Sequence, residues 1–215
     1  MYNSIDMKII KTIKLFAVAL LFSAIKTQAL FAGDYTILAF GDSLTAGYGL
    51  PPNEGFTVQL EQELKRQGHN ITVINGGVSG DTTSGGLARL AWVLSSAKPD
   101  MVILELGAND ALRGIPPHIT RANMDKMLAI LKQAGIKTLV AGMMAPPNMG
   151  NDYAVEFNRI YPELAKTYEA TLYPFFLESV AGIAELNQND AIHPNSKGVA
   201  IIVRKVIPYI QKILK

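Results

Sequence analysis

The 215-residue chain has no cysteine, a single tryptophan and three histidines. Without cysteine there is no disulfide, no thiolate nucleophile, no Cys-type zinc site and no lipid anchor on an acylated cysteine. A thiol-free chain suits any redox compartment, so this absence says nothing of location. Clustered basic charge is also missing. Of 20 Lys and Arg against 18 Asp and Glu, residues 1–29 hold Lys8, Lys11, Lys14 and Lys26 against Asp6, leaving 16 basic and 17 acidic side chains from residue 30 onward. That balance argues against a nucleic-acid partner. No apolar run reaches the ~20 residues that a membrane-spanning helix needs. Neither His-Glu-x-x-His nor a pair of histidines at ligand spacing occurs, so no metal is expected, and no cofactor motif is complete.

What is present begins with an address. Three lysines precede residues 15–25, an apolar stretch broken only by Ser23, and Lys-Thr-Gln-Ala follows. This pattern predicts a secretory signal peptide over residues 1–29, cut after Ala29 with small Thr27 three positions before the break; Ala32 offers a second site. The mature chain, from residue 30 to residue 215, is then a single domain, periplasmic or secreted, with no stable membrane anchor.

From Asp34 onward, short β-branched runs alternate with segments of helical period. Strands are predicted over 36–40, 71–74, 101–106, 138–143 and 171–176. Between them Phe56, Leu60 and Leu64 mark one helix, Leu87, Leu90, Ala91 and Leu94 a second, Met124, Met127, Leu128 and Leu131 a third, and Phe157, Ile160, Tyr161 and Leu164 a fourth. A fifth starts near Ser196, with Pro208 expected to kink or break it. Such alternation implies βαβ units, hence a three-layer α/β/α domain on a five-stranded parallel sheet. In such sheets ligands bind at the carboxyl ends of the strands, so the loops there are the places to look for chemistry.

The first strand runs into Gly41-Asp42-Ser43-Leu44, which puts a serine at a strand end in a glycine-permissive turn. Ser43 serves equally well as a helix cap or as a nucleophile, and attack on a carbonyl requires a base. His69 follows a helix-ending glycine and reads as a surface residue; His118 follows Pro116-Pro117 and reads as a loop residue. His193 differs, because in Asp190-Ala191-Ile192-His193 the carboxylate three residues earlier can reach beneath the imidazole, fix its tautomer and stabilise its charged form. An N-cap aspartate beside a structural histidine is the plainer alternative. Oxyanion donors are available from two other strand-end loops: Gly80, in Ser79-Gly80-Asp81-Thr82, and Asn109, in Gly107-Ala108-Asn109-Asp110. With the Ser43 N–H, that makes three.

Taken together, these four blocks resemble the SGNH or GDSL hydrolase family, and most of all its bacterial thioesterase I, protease I, lysophospholipase L1 and arylesterase branch. The resemblance implies a flavodoxin-like sheet, Ser43 as nucleophile, His193 as base, Asp190 as its orienter, and Ser43, Gly80 and Asn109 as oxyanion donors. It also implies a mobile loop near residues 110–117 that covers bound acyl chain. Asp42, Leu44, Asp110, Leu112, Ile115 and Pro116 are accordingly expected to contact substrate. Ala108 stands where many members carry a second glycine. The expected activity is hydrolysis of carboxylic esters and thioesters of acyl chains, with a small-molecule or lipid ester as substrate. Two rivals are an O-acetyl esterase acting on carbohydrate and a non-catalytic module that binds lipid, or binds phosphate through the glycine-rich stretch 76–86. The second lacks the Gly-Lys-Ser/Thr of a phosphate loop.

Overall fold

The computed structural model describes residues 35–215, all within the unit Gly33–Lys215. The expected signal peptide lies outside the described residues. Five strands, β1 (Tyr35–Gly41), β2 (Ile71–Gly77), β3 (Met101–Glu105), β4 (Lys137–Ala141) and β5 (Thr171–Tyr173), form one sheet in the order β2-β1-β3-β4-β5. Every pairing is parallel, as the alternation of elements requires. The central strands are buried along almost their whole length: Ile37 to Gly41 of β1 and all five residues of β3. Burial on both faces explains why they read as continuous apolar runs and not as alternating ones. The edge strand β2 alternates and ends half-exposed. β5 stops at Tyr173, three residues short of the sequence expectation, because Pro174 has no N–H for the ladder.

Helices α1 (Ser43–Ala46), α2 (Phe56–Arg66), α3 (Thr83–Ala97), α4 (Ala108–Leu112), α5 (Pro117–Gln133), α6 (Asn151–Asn158), α7 (Ile160–Tyr168) and α8 (Ser196–Leu214) cover the sheet. α2 packs on α8, while α5 packs on α3, α6 and α7. These two groups supply the outer layers of the sandwich. The apolar positions that predicted each helix are the buried ones: Phe56, Leu60 and Leu64 of α2, and Met124, Met127, Leu128 and Leu131 of α5.

Two expectations about helices are corrected. The fourth predicted helix is two, α6 and α7, meeting at Arg159. Pro208 does not break the last helix, which runs from Ser196 to Leu214. Proline at 208 removes the N–H that would bond to the carbonyl of residue 204. Arg204 and Pro208 both lie on the exposed face, where water can satisfy that carbonyl and the ring meets no neighbouring element. Among the described residues no helix is long and apolar enough to cross a membrane.

Candidate active site

Going outward from the central sheet, β2 lies on one side of β1 and β3 to β5 on the other, so the chain reverses its progress across the sheet between β1 and β3. Loops leaving two such strands diverge and open a crevice. Ser43 leaves β1 and Asn109 leaves β3. Asp42 caps α1, its Oδ1 accepting the Leu44 N–H at 3.0 Å, and this fixes Ser43 as the first helical residue. At that position the Ser43 N–H is one of the amides a helix leaves without an internal partner.

Ser43 Oγ lies 2.9 Å from His193 Nε2, and His193 Nδ1 lies 2.7 Å from Asp190 Oδ2. The other carboxylate oxygen, Oδ1, accepts the backbone N–H groups of Ile192 and His193, each at 3.0 Å. Those bonds, led by the His193 N–H and then its ring, hold the Asp190 carboxyl down at about 2. An ionised Asp190 makes Nδ1 the donor and leaves Nε2 as acceptor for the serine hydroxyl. The Tyr48 ring packs against the imidazole, centroid to centroid 4.6 Å. A hydroxyl, an imidazole and a carboxylate in series can move a proton off the hydroxyl as it attacks an electrophile.

Asn109 Nδ2 donates to Asp42 Oδ2 at 3.0 Å, spending one amide hydrogen and leaving the other free to face the crevice. Gly80 accepts the Arg113 guanidinium on its carbonyl oxygen at 2.7 Å, and its N–H has no hydrogen-bond acceptor among the described residues. Beneath Asp42 lies Glu105, the last residue of β3. Its Oε2 accepts the Thr45 hydroxyl at 2.8 Å and the Asp42 N–H at 3.3 Å. Gly41 is required here, since a Cβ at that position would collide with Glu105 and Thr45. Burial pushes Asp42 up to about 6, against the pull of the Leu44 N–H and the Asn109 amide. Glu105 is driven well above the usual carboxylate range, first by burial and then by the charge of Asp42.

Next to Ser43 and His193 opens a cleft of about 600 Å³. Leu44, Leu112, Met143, Met144, Phe175 and Leu177 form much of its wall, and Asp42 and Asn109 are also on it. Of the residues expected to contact substrate, then, Asp42, Leu44 and Leu112 line the cleft. Asp110 does not. It is fully buried and accepts the Thr83 N–H, the Thr83 hydroxyl and the Thr120 hydroxyl, so it ties the start of α3 to α5. Ile115 and Pro116 also lie outside the cleft, the Ile115 carbonyl being held by the Tyr153 hydroxyl at 2.8 Å. His69 and His118 are likewise absent from it. Sequence reasoning missed Glu105, Tyr48 and the wall from Met143 to Pro147. The uncharged run Met143-Met144-Ala145-Pro146-Pro147, one residue past the end of β4, was the available signal for that wall.

Residues 39–201 match the GDSL-like Lipase/Acylhydrolase family. An arylesterase of Vibrio mimicus is 44% identical over 158 residues, 74% of this chain and 79% of its own. The esterase TesA of Pseudomonas aeruginosa is 38% identical over 183 residues, 85% of this chain and 91% of its own. Among solved structures, the psychrotrophic esterase EstA from Pseudoalteromonas sp., inhibited by monoethylphosphonate, superposes with a TM-score of 0.80 at 35% identity, covering 84% of this chain and 99% of that one.

Proposed function

The chain belongs to the GDSL-like lipase/acylhydrolase family of ester-hydrolysing enzymes, and on that premise we propose that it is an exported serine esterase that cleaves acyl esters through an acyl-enzyme on Ser43. The observation that carries this reading is the unbroken series Ser43 Oγ, His193 Nε2, His193 Nδ1 and Asp190 Oδ2, with contacts of 2.9 and 2.7 Å. Ser43 Oγ attacks the ester carbonyl carbon while its proton passes to His193 Nε2. The carbonyl oxygen becomes an oxyanion, held by the Ser43 N–H, the Gly80 N–H and the free hydrogen of the Asn109 amide. Collapse expels the alcohol or thiol, which takes the proton from His193. Water then gives a proton to the same nitrogen, attacks the acyl-enzyme, and the acid leaves as Ser43 recovers its hydrogen.

The apolar cleft wall supports an acyl chain as the buried part of the substrate, each buried methylene contributing roughly 0.8 kcal/mol. Carbohydrate sites favour aromatic platforms, and the single tryptophan, Trp92, is exposed on α3 and absent from the cleft. Export rests on the sequence of residues 1–29. The test is hydrolysis by the chain from residue 30 onward of p-nitrophenyl esters from acetyl to palmitoyl and of lysophospholipid, with Ser43→Ala as blank. Turnover extending to medium or long chains and absent from the Ser43→Ala variant is expected. Full-rate turnover by Ser43→Ala would refute the mechanism, and activity confined to acetyl would move the assignment to deacetylation of carbohydrate.

A further inference from the structure

Glu105 is a fully buried carboxyl that the mechanism above leaves without a role. Its Oε1 has no hydrogen-bond partner, while Oε2 takes the Thr45 hydroxyl and the Asp42 N–H. Asp42 at the end of β1 acts on it directly; Tyr161 of α7 lies between it and Asp110 of α4, Arg89 of α3 reaches the neighbouring Gly41 carbonyl, and His193 faces Asp42. None supplies a counter-charge. Arg89 is spent on the Asp81 carboxylate and on the carbonyls of Gly41 and Gly76, and the Tyr161 hydroxyl donates to the Leu106 carbonyl. Asp110 is occupied by Thr83 and Thr120, and His193 by Ser43 and Asp190. An ionised Glu105 here would be a buried charge with one oxygen bare and no cation, which is prohibitive. Asp42 is fully buried as well, its backbone N–H lies 3.3 Å from Glu105 Oε2, and its charge acts on Glu105. Two ionised carboxyls buried side by side repel, so one of the pair holds a proton.

We propose that Glu105 is a positioning residue: its carboxyl stays protonated and donates to Asp42, and Asp42 in turn holds the Asn109 amide in the oxyanion site. Three consequences follow from the geometry. Asp42 has both oxygens engaged, Oδ1 with the Leu44 N–H and Oδ2 with Asn109, so it cannot turn toward Glu105 without releasing one of them. Neutral Glu105 braces it in place. The same neutrality keeps a second negative charge from lying under the point where the oxyanion forms. Loss of the proton at alkaline pH sets two charges against each other and loosens Asn109.

The inference rests on Asn109 being an oxyanion donor, and the experiment separates the two. Asn109→Ala alone tests that reading: an unchanged kcat overturns both. Glu105→Leu fills the volume without the proton and is expected to lower kcat about 10²-fold, the scale of one oxyanion donor, with KM little changed. Combined with Asn109→Ala it is expected to add almost nothing, because both act through one amide. Losses that multiply, or a Glu105→Leu enzyme with wild-type kcat, overturn the proposal. Should the Leu variant fail to fold, Glu105→Gln still decides. Its amide donates to Asp42 and cannot titrate, so it is expected to keep kcat within about threefold at pH 7 and to hold it on the alkaline side where the wild type declines. An alkaline limb identical in the two enzymes overturns the protonated-Glu105 assignment.

Discussion

Replacing Asp190 with Asn asks whether the carboxylate acts by setting the tautomer of His193. Oδ1 is already held by two backbone N–H groups at 3.0 Å, and only Oδ2 meets the ring. An asparagine therefore has one comfortable orientation, its oxygen beneath the two N–H groups and its NH2 against Nδ1. Nδ1 must then accept, the ring proton moves to Nε2, and that nitrogen can no longer take the hydrogen of Ser43. Turning the amide over would restore the useful tautomer, but it would set NH2 against two N–H groups. Two hydrogen bonds at about 1 kcal/mol each, plus donor–donor repulsion of similar size, leave the turned form at about 1%. The expected kcat is at least about 10²-fold below wild type and tends toward the ~10⁴-fold loss that a wrong tautomer causes in such triads. KM should barely move, since Asp190 does not line the cleft. Asp190→Ala, which leaves the tautomer free, should retain more activity than Asp190→Asn. Steady-state kinetics on a soluble p-nitrophenyl ester settle the matter; an Asn variant within tenfold of wild type, or better than the Ala variant, refutes the reasoning.

Two further outcomes are expected. Gly107 has φ +114° and a Cβ there would land on the Tyr161 hydroxyl, which donates to the Leu106 carbonyl. Gly107→Ala should destabilise the fold by roughly 2–6 kcal/mol, from backbone strain and the broken buried hydrogen bond together; chemical denaturation reads it, and a change under 1 kcal/mol contradicts the packing. Leu112, 52% exposed at the cleft wall, should on mutation to Asp raise KM for octanoyl esters by roughly tenfold, about the loss of two buried methylenes, and leave acetyl esters nearly unchanged. Equal effects on both chain lengths would remove Leu112 from acyl binding.

Residues whose chemistry depends on a local motif were readable in the sequence, and the structure brings them together. Ser43 follows β1, and Asp190 meets His193 within one turn of chain. What sequence could not supply was partnership at long range. Glu105 closes an apolar strand, and nothing in Met-Val-Ile-Leu-Glu announces a carboxyl turned inward toward residues 42 and 45, 63 and 60 positions away. Asp110 sits next to Asn109 in a suggestive block, but its partners are Thr83 and Thr120, so proximity in sequence misled. Pro208 shows the limit of a local rule: Arg204 and Pro208 are exposed, water can take the freed carbonyl, and the helix continues through the proline. The sheet was predicted well because its central strands are buried on both faces and leave an unmixed apolar record.

The hydrogen bond between Ser43 and His193 joins residues 150 positions apart. Seen as a folding event, it closes almost the whole domain into a single loop, and its entropy must be met by contacts already made elsewhere. The base and its carboxylate travel together on one short turn, ready long before they have anything to serve. The nucleophile waits at the far end of the chain's history, on the strand at the heart of the sheet. Catalytic competence is therefore a late and global property of this molecule, and it cannot belong to any fragment that lacks either end.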